Sequence, residues 1–259
     1  MIPLIASQLH ERRRSLLSWG LPIGLFSAFI VGIYPSVEDA LAEAISNYPT
    51  ALKEAFGIGE LTTVEQYLHA EMLSLIVPLA VGYLAVRSVA SALSGASESG
   101  RLDVLLSAPV SRSRLVAAGF CATAVELAAT LAVSLILTLL GSVVTSAGLS
   151  FGLAVAGFAN VWPLALLSAG LGIVVTGFSL RTNVVTGSVA GLLVAMYVLD
   201  LVGRLDPSLD GIRYVSVFRY YGTAVDNGID PLSFIGVTAA AALLASIGTA
   251  LFERRDLVR

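Results

Sequence analysis

Long uncharged runs of apolar residues alternate with short charged stretches along the whole chain. The runs that lack Asp, Glu, Lys and Arg cover residues 16–37, 72–86, 127–180, 182–199 and 231–252. The run at 127–180 is too long for one crossing, because about 20 apolar residues span the hydrocarbon core of a bilayer. The turn-forming stretch at 141–148 divides this run into two. The pattern therefore predicts six membrane-spanning helices.

The predicted fold is an all-α, polytopic membrane protein with a single transmembrane domain over residues 1–259. The expected spans are residues 16–36, 70–92, 115–140, 152–179, 183–202 and 231–252. Between the first two spans, Ser36-Val37-Glu38-Asp39 is typical of a capping box. We expect it to begin a short amphipathic helix at the outer membrane interface.

Composition supports a membrane protein and argues against nucleic-acid binding. Hydrophobic residues make up 56% of the chain and charged residues only 13%, whereas soluble domains carry roughly a quarter charged residues. The chain has one lysine, Lys53, so we expect no basic surface that follows a phosphate backbone.

The positively charged residues predict the orientation of the six spans. With both termini on the inner side, eleven Arg residues fall in inner segments, and Lys53 and three Arg residues fall in outer segments. Because loops rich in Arg and Lys stay on the cytoplasmic side, we expect cytoplasmic N- and C-termini.

The stretch between spans two and three, residues 99–114, is unusually charged. Leu102, Leu105 and Leu106 fall on one face of a short helix, which Pro109 ends. A helix this short is marginal alone in water, so it must lie against something. Spacing alone leaves two alternatives: a turn on the lipid headgroups, or a segment that docks on a partner protein.

A motif in this stretch resembles a known family. Its residues are Glu98, Gly100, Leu102, Asp103, Leu105, Leu106, Ser107, Pro109, Val110, Ser111 and Arg112. This pattern is similar to the first cytoplasmic loop of ABC-type-2 permeases, the six-helix membrane subunits of ATP-driven exporters. The N-terminal segment, with Ile2, Ile5 and Leu9 on one face, resembles the amphipathic helix that precedes span one in that family. Arg101 departs from the family pattern, in which threonine is common.

The resemblance implies that this loop is a coupling helix, which inserts into a groove of a separate ABC ATPase subunit and transmits its closure to the membrane helices. The implied docking residues are Glu98, Arg101, Leu102, Asp103, Leu105, Leu106, Pro109, Arg112 and Arg114. It also implies a second permease copy or a homologous permease as partner, and location in a prokaryotic cell (inner or plasma) membrane.

The chain's own residues argue against catalysis. A phosphate-binding P-loop needs a lysine after glycine, but the only lysine stands between Leu52 and Glu54. We therefore expect no cofactor in this chain, with ATP and Mg bound by the partner ATPase. His10 lies beside the inner surface and His69 at the outer end of span two. Neither lies within a span near a serine, which disfavours an intramembrane serine hydrolase. No His, Cys and carboxylate cluster has metal-ligand spacing, so no metal site is predicted.

Two further features leave alternatives open. Glu126 lies deep in span three, as either a carboxylate of the transport pathway or a hydrogen-bonded packing residue beside Thr123 or Thr130. Gly187 and Gly191 in span five let another helix approach closely. They serve either packing within the chain or, as the resemblance implies, a dimer interface.

The predicted function is the membrane-spanning permease subunit of an ATP-driven ABC export complex. The alternative is a non-transporting scaffold or regulatory subunit with the same fold.

Overall fold

The computed structural model describes residues 2–46, 49, 63–95 and 111–254 of the chain. Six helices in these ranges are long and apolar enough to cross a membrane. They are α1 (Ile2–Ser46), α3 (Ile76–Ala90), α4 (Arg112–Thr145), α5 (Phe151–Phe178), α6 (Thr182–Leu205) and α9 (Pro231–Arg254). The described ranges contain no strand, so the predicted all-α, six-span architecture is confirmed.

Short elements connect these helices. They are α2 (Val64–Leu68), π-helical turns at His69–Leu73 and Ser91–Gly95 on either side of α3, a 3₁₀ helix (Pro207–Val215), α7 (Val217–Tyr221) and α8 (Ala224–Asn227). The most apolar stretches of α3 and α5 are the most buried of the six spans, and that of α9 is the least buried. The bundle is therefore built around α3 and α5.

Helix α1 differs from the sequence prediction in its continuity. The N-terminal segment, the first span and the segment after Ser36 form one helix of 45 residues, which includes Pro22 and Pro35. Ser36 lies inside this helix and does not cap a new one, so the predicted capping box is wrong. Burial continues past it, since Leu41 packs against the hydrophobic core.

Small residues bring α1 and α4 into close contact. A β-carbon at Gly24 would lie 2.8 Å from the α-carbon of Ser134, and one at Gly141 would lie 2.7 Å from the β-carbon of Ala28. The Ser134 hydroxyl also donates a hydrogen bond of 3.2 Å to the Gly20 carbonyl. Such small-residue contacts allow two membrane helices to pack backbone against backbone.

The connection between α4 and α5 lies later than predicted. Gly141 belongs to α4, where it packs on α1, and the helix continues to Thr145. It ends at Ser146, which adopts a left-handed conformation with φ of 56°. The Ser142 hydroxyl then accepts a hydrogen bond from the Leu149 amide at 3.1 Å. The predicted break exists, but Gly141 is a packing residue and not part of the turn.

Helices α5 and α9 also pack through glycines. A β-carbon at Gly170 would lie 2.7 Å from the Ala241 carbonyl oxygen. One at Gly248 would lie 2.6 Å from backbone atoms of Ile173 and Val174. Because no real β-carbon fits at these distances, this seam depends on glycine at both positions.

Candidate functional site

Polar side chains collect at two places in the helical bundle. The first, here called the Arg12 cluster, consists of the side chains of Gln8, Arg12, Thr123 and Glu126 with the Ser88 backbone carbonyl. The second, here called the Asp200 cluster, consists of Asp200, Arg204, Asp210, Arg213 and Arg219. Charged groups among apolar helices are costly unless paired, so both clusters are candidates for function.

The Arg12 cluster joins three helices through one guanidinium. Arg12 Nη1 donates to Thr123 Oγ1 at 2.7 Å and to Glu126 Oε2 at 3.2 Å, both on α4. Arg12 Nη2 donates to the Ser88 carbonyl on α3 at 3.2 Å and to Gln8 Oε1 at 3.4 Å. The Glu126 side chain is 1% exposed. This is therefore a buried ion pair with charge-assisted hydrogen bonds.

The Asp200 cluster lies where α6 ends and the chain turns back towards α9. The Asp200 carboxylate binds Arg204 Nη2 at 2.6 Å and Arg213 Nε at 3.0 Å. Arg213 Nη1 in turn donates to Asp210 at 2.8 Å, and Arg219 Nη1 does so at 3.0 Å. The hydrogen bond from Arg213, together with Arg219, holds the pKa of Asp210 below its usual value. These ion pairs hold the 3₁₀ helix against the C-terminal end of α6.

A cavity of about 20 Å³ beside this network is lined by His69, Asp200, Arg204 and Tyr221 among others. A cavity of this size holds about one water molecule. His69 is buried. Burial, together with the positive charge of Arg204, lowers the pKa of His69 to about 4. His69 is therefore neutral at physiological pH.

This shift predicts a pH-dependent stability. Neutral His69 is favoured in the folded protein, whereas the unfolded chain takes up a proton below pH 6.5. The full contribution of His69 to the free energy of unfolding is therefore present above pH 6.5. It is lost as the pH decreases towards 4, by up to about 3 kcal/mol. Thermal unfolding of the detergent-purified protein between pH 4 and 7 measures this loss. The unfolding temperature of the His69→Gln variant should depend less on pH than that of the wild type. Equal pH dependence of the two proteins would contradict the role given to His69.

A third feature is an apolar cleft of about 250 Å³ between α4, α5 and α9. Its nine lining residues include Leu131, Phe158, Trp162 and Phe234. The Trp162 indole N–H is already donated to the Ala124 carbonyl at 2.9 Å, and its ring stacks on Phe234. The cleft therefore offers apolar contacts and no free polar group from the indole.

The described residues on either side of positions 96–110 lie at one end of the bundle. The turn after α3 is described up to Gly95, where a β-carbon would lie 3.8 Å from Thr182 Oγ1 at the start of α6. Helix α4 starts at Arg112, whose Nη1 donates to the Glu253 carbonyl near the end of α9 at 3.5 Å. The segment thus connects two helices that terminate at the same end of the bundle.

The family model described as "Multidrug efflux system permease Rv1217c, C-terminal domain" matches residues 5–253. The chain belongs to this family. It is a multi-pass membrane permease, and six of its described helices are long and apolar enough to cross a membrane. A comparison with curated proteins finds no significant match.

Most of the docking residues predicted for the permease lie outside the described residues. These are Glu98, Arg101, Leu102, Asp103, Leu105, Leu106 and Pro109. Arg112 and Arg114 lie in the first turn of α4, and Arg114 is exposed. Ser111 caps this helix, since its hydroxyl accepts a hydrogen bond from the Arg114 amide at 3.4 Å. The Pro-Val-Ser-Arg part of the motif thus leads directly into α4.

The structure describes the surroundings of Glu126 and of Gly187 and Gly191, whose roles stay predictions. Glu126 is hydrogen-bonded and buried, but its partner is Arg12, and Thr123 binds the same guanidinium. A β-carbon at Gly187 or Gly191 would meet no atom within 4 Å. Among the described residues, therefore, no close contact within the chain accounts for these glycines of the permease. They face outward, and the dimer interface stays a prediction.

Sequence reasoning missed Arg12 and the Asp200 cluster. Arg12 belongs to a run of three arginines that reads as a membrane-surface anchor, and its partner lies 114 residues away. Asp200 follows the uncharged run that ends at residue 199, so it reads as the start of a loop. The spacing of Asp200 and Arg204 was a usable signal, because residues four apart on a helix are neighbours.

Proposed function

We propose that this permease is the membrane-spanning subunit of an ATP-driven exporter, in which a separate ATPase docks on the segment at 98–114. The family match supports a transport permease. The observation that supports docking is the position of the segment: α3 and α4 lead into and out of it at one end of the bundle. Movement of a docked partner would therefore reach two membrane helices directly.

In this proposal the partner ATPase binds ATP and Mg, and the permease contributes no catalytic group. Glu98, Arg101, Asp103, Arg112 and Arg114 would form ion pairs that orient the partner. Leu102, Leu105 and Leu106 would fill its groove, and Pro109 would end the docking helix. The docking end and both termini would lie in the cytoplasm of a prokaryotic cell.

The proposed complex also contains two permease chains, as copies or homologues. Gly187 and Gly191 lie on the outward face of α6 together with exposed apolar residues such as Leu192, Val194 and Val198. This face has room for the close approach of a second helix.

Docking predicts a strong effect of charge reversal. The double variant Asp103→Arg/Arg112→Glu should lose most of its ATPase partner, because both expected ion pairs become repulsive. Pull-down of the partner ATPase by the tagged permease measures this loss. Asp226→Arg, a reversal at an exposed site in α8, serves as the control. Wild-type pull-down by the double variant would overturn the docking role.

The alternative function, a scaffold or regulatory subunit without transport, is tested in the same preparation. An exporter should stimulate ATP hydrolysis when a transported compound is added to the co-purified complex. A scaffold should bind the ATPase, but no added compound should stimulate ATP hydrolysis by the co-purified complex.

A further inference from the structure

Arg12 occupies a particular place with respect to the proposed docking segment. Ser88, which accepts from Arg12 Nη2, lies in the last turn of α3, shortly before the segment begins. Thr123 and Glu126, which accept from Nη1, lie on α4, which starts where the segment ends. One side chain of α1 therefore bonds to both helices that lead into and out of the segment.

This link matters because α3 and α4 touch each other little. Helix α4 packs mainly on α1, whereas α3 packs mainly on α5. Direct contact between α3 and α4 is much smaller than either of these. Arg12 bridges the pair from a third helix.

The chemistry of arginine suits this bridge. Its planar guanidinium presents separate N–H groups in a rigid fork, and here one terminal nitrogen serves α4 and the other serves α3. The Arg12 side chain is 13% exposed and that of Glu126 is 1% exposed, so water competes weakly for these bonds. Glu126 Oε1 meets no hydrogen-bond donor among the described residues, so Arg12 is the charge partner of this carboxylate in that part of the chain.

We propose that Arg12 is a positioning residue that holds α3 and α4 at a fixed separation, so that force on the docking segment moves both helices together. This inference rests on the proposed function. Glu126 has a supporting part in it: its carboxylate keeps the guanidinium oriented between the two helices. It need not contact any transported molecule.

The test compares two variants that retain balanced charge with one that does not. Arg12→Lys keeps a positive charge beside Glu126 but replaces the fork by a point donor. The double variant Arg12→Gln/Glu126→Gln removes both charges and leaves no unpaired carboxylate. Arg12→Gln alone leaves Glu126 unpaired and serves as the destabilised reference.

Spin labels report the separation of the two helices in the isolated permease. One label is placed at Ser91, in the turn after α3, and the other at Ser113, in the first turn of α4, with Cys121 replaced by serine. We expect a narrow distance distribution in the wild type and a broader one in Arg12→Lys and in the double variant. Both variants should still pull down the ATPase. The rate of ATP hydrolysis in the complex should fall by at least about threefold, a common size for coupling effects.

The outcomes separate the two proposals. A wild-type distance distribution and a wild-type hydrolysis rate in the double variant would show that Arg12 only neutralises Glu126, and would overturn the positioning role. If the wild-type permease itself does not bind the ATPase, the proposed function fails. The distance distributions of the isolated permease then decide on Arg12 alone.

Discussion

Replacing Asp200 by asparagine is expected to lower the stability of the permease by about 3 kcal/mol, the lower limit for breaking a buried ion pair. Asp200 is 2% exposed and binds both Arg204 and Arg213. The asparagine keeps the shape but removes the negative charge that compensates both arginines. The arginine side chains are 26% and 21% exposed, so water replaces part of the lost interaction and limits the effect.

Thermal unfolding of the detergent-purified protein measures this prediction. Asp226→Asn, which changes an exposed aspartate in the connection between α6 and α9, should unfold at the wild-type temperature. Loss of the network should also release the 3₁₀ helix at Pro207–Val215, so proteolysis in that helix should become faster in Asp200→Asn. Equal unfolding temperatures for the two variants would show that the Asp200 cluster adds little to stability.

A second large effect is expected at Gly248, where one added methyl group meets backbone. The new β-carbon would lie 2.6 Å from Ile173 and Val174 backbone atoms of α5. Backbone cannot rotate away as a flexible side chain can, so α9 must move off α5. Overpacking of this kind costs about 3 kcal/mol, and Gly248→Ala should unfold at a clearly lower temperature.

Gly236 provides a matched control on the same helix. A β-carbon there meets no atom within 4 Å. Gly236→Ala should be neutral or stabilise α9 by up to about 1 kcal/mol, because alanine favours the helix more than glycine does. If both variants unfold at the same temperature, the close contact of α5 and α9 does not determine stability.

The glycines also show how far the sequence determines the structure. Hydrophobic runs predicted six helices correctly, since span length follows from bilayer thickness. Small residues four apart occur on α1, at Gly20, Gly24 and Ala28, and on α6, at Gly187 and Gly191. The first set packs on α4 inside the bundle, and the second faces outward. Spacing alone cannot distinguish these uses, because both satisfy the same steric requirement.

The candidate site was less accessible to sequence reasoning than the spans. Glu126 was identified because a single charge in a long apolar run is conspicuous. Its partner was not, because pairing with Arg12 depends on how α1 lies against α4. The segment around Asp103 was identified from a motif, and its docking role stays a prediction.

The continuity of α1 has a consequence for communication across the membrane. A helix of 45 residues has a contour of about 68 Å, roughly twice the 30 Å thickness of the hydrocarbon layer. The helix is therefore long enough to extend beyond the hydrocarbon layer on both sides. An antibody fragment that binds the exposed residues at 38–40 would pull on the same continuous helix that carries Arg12 near its other end. Because both sites belong to one helix, a pull at the first would be transmitted along α1 to the Arg12 cluster.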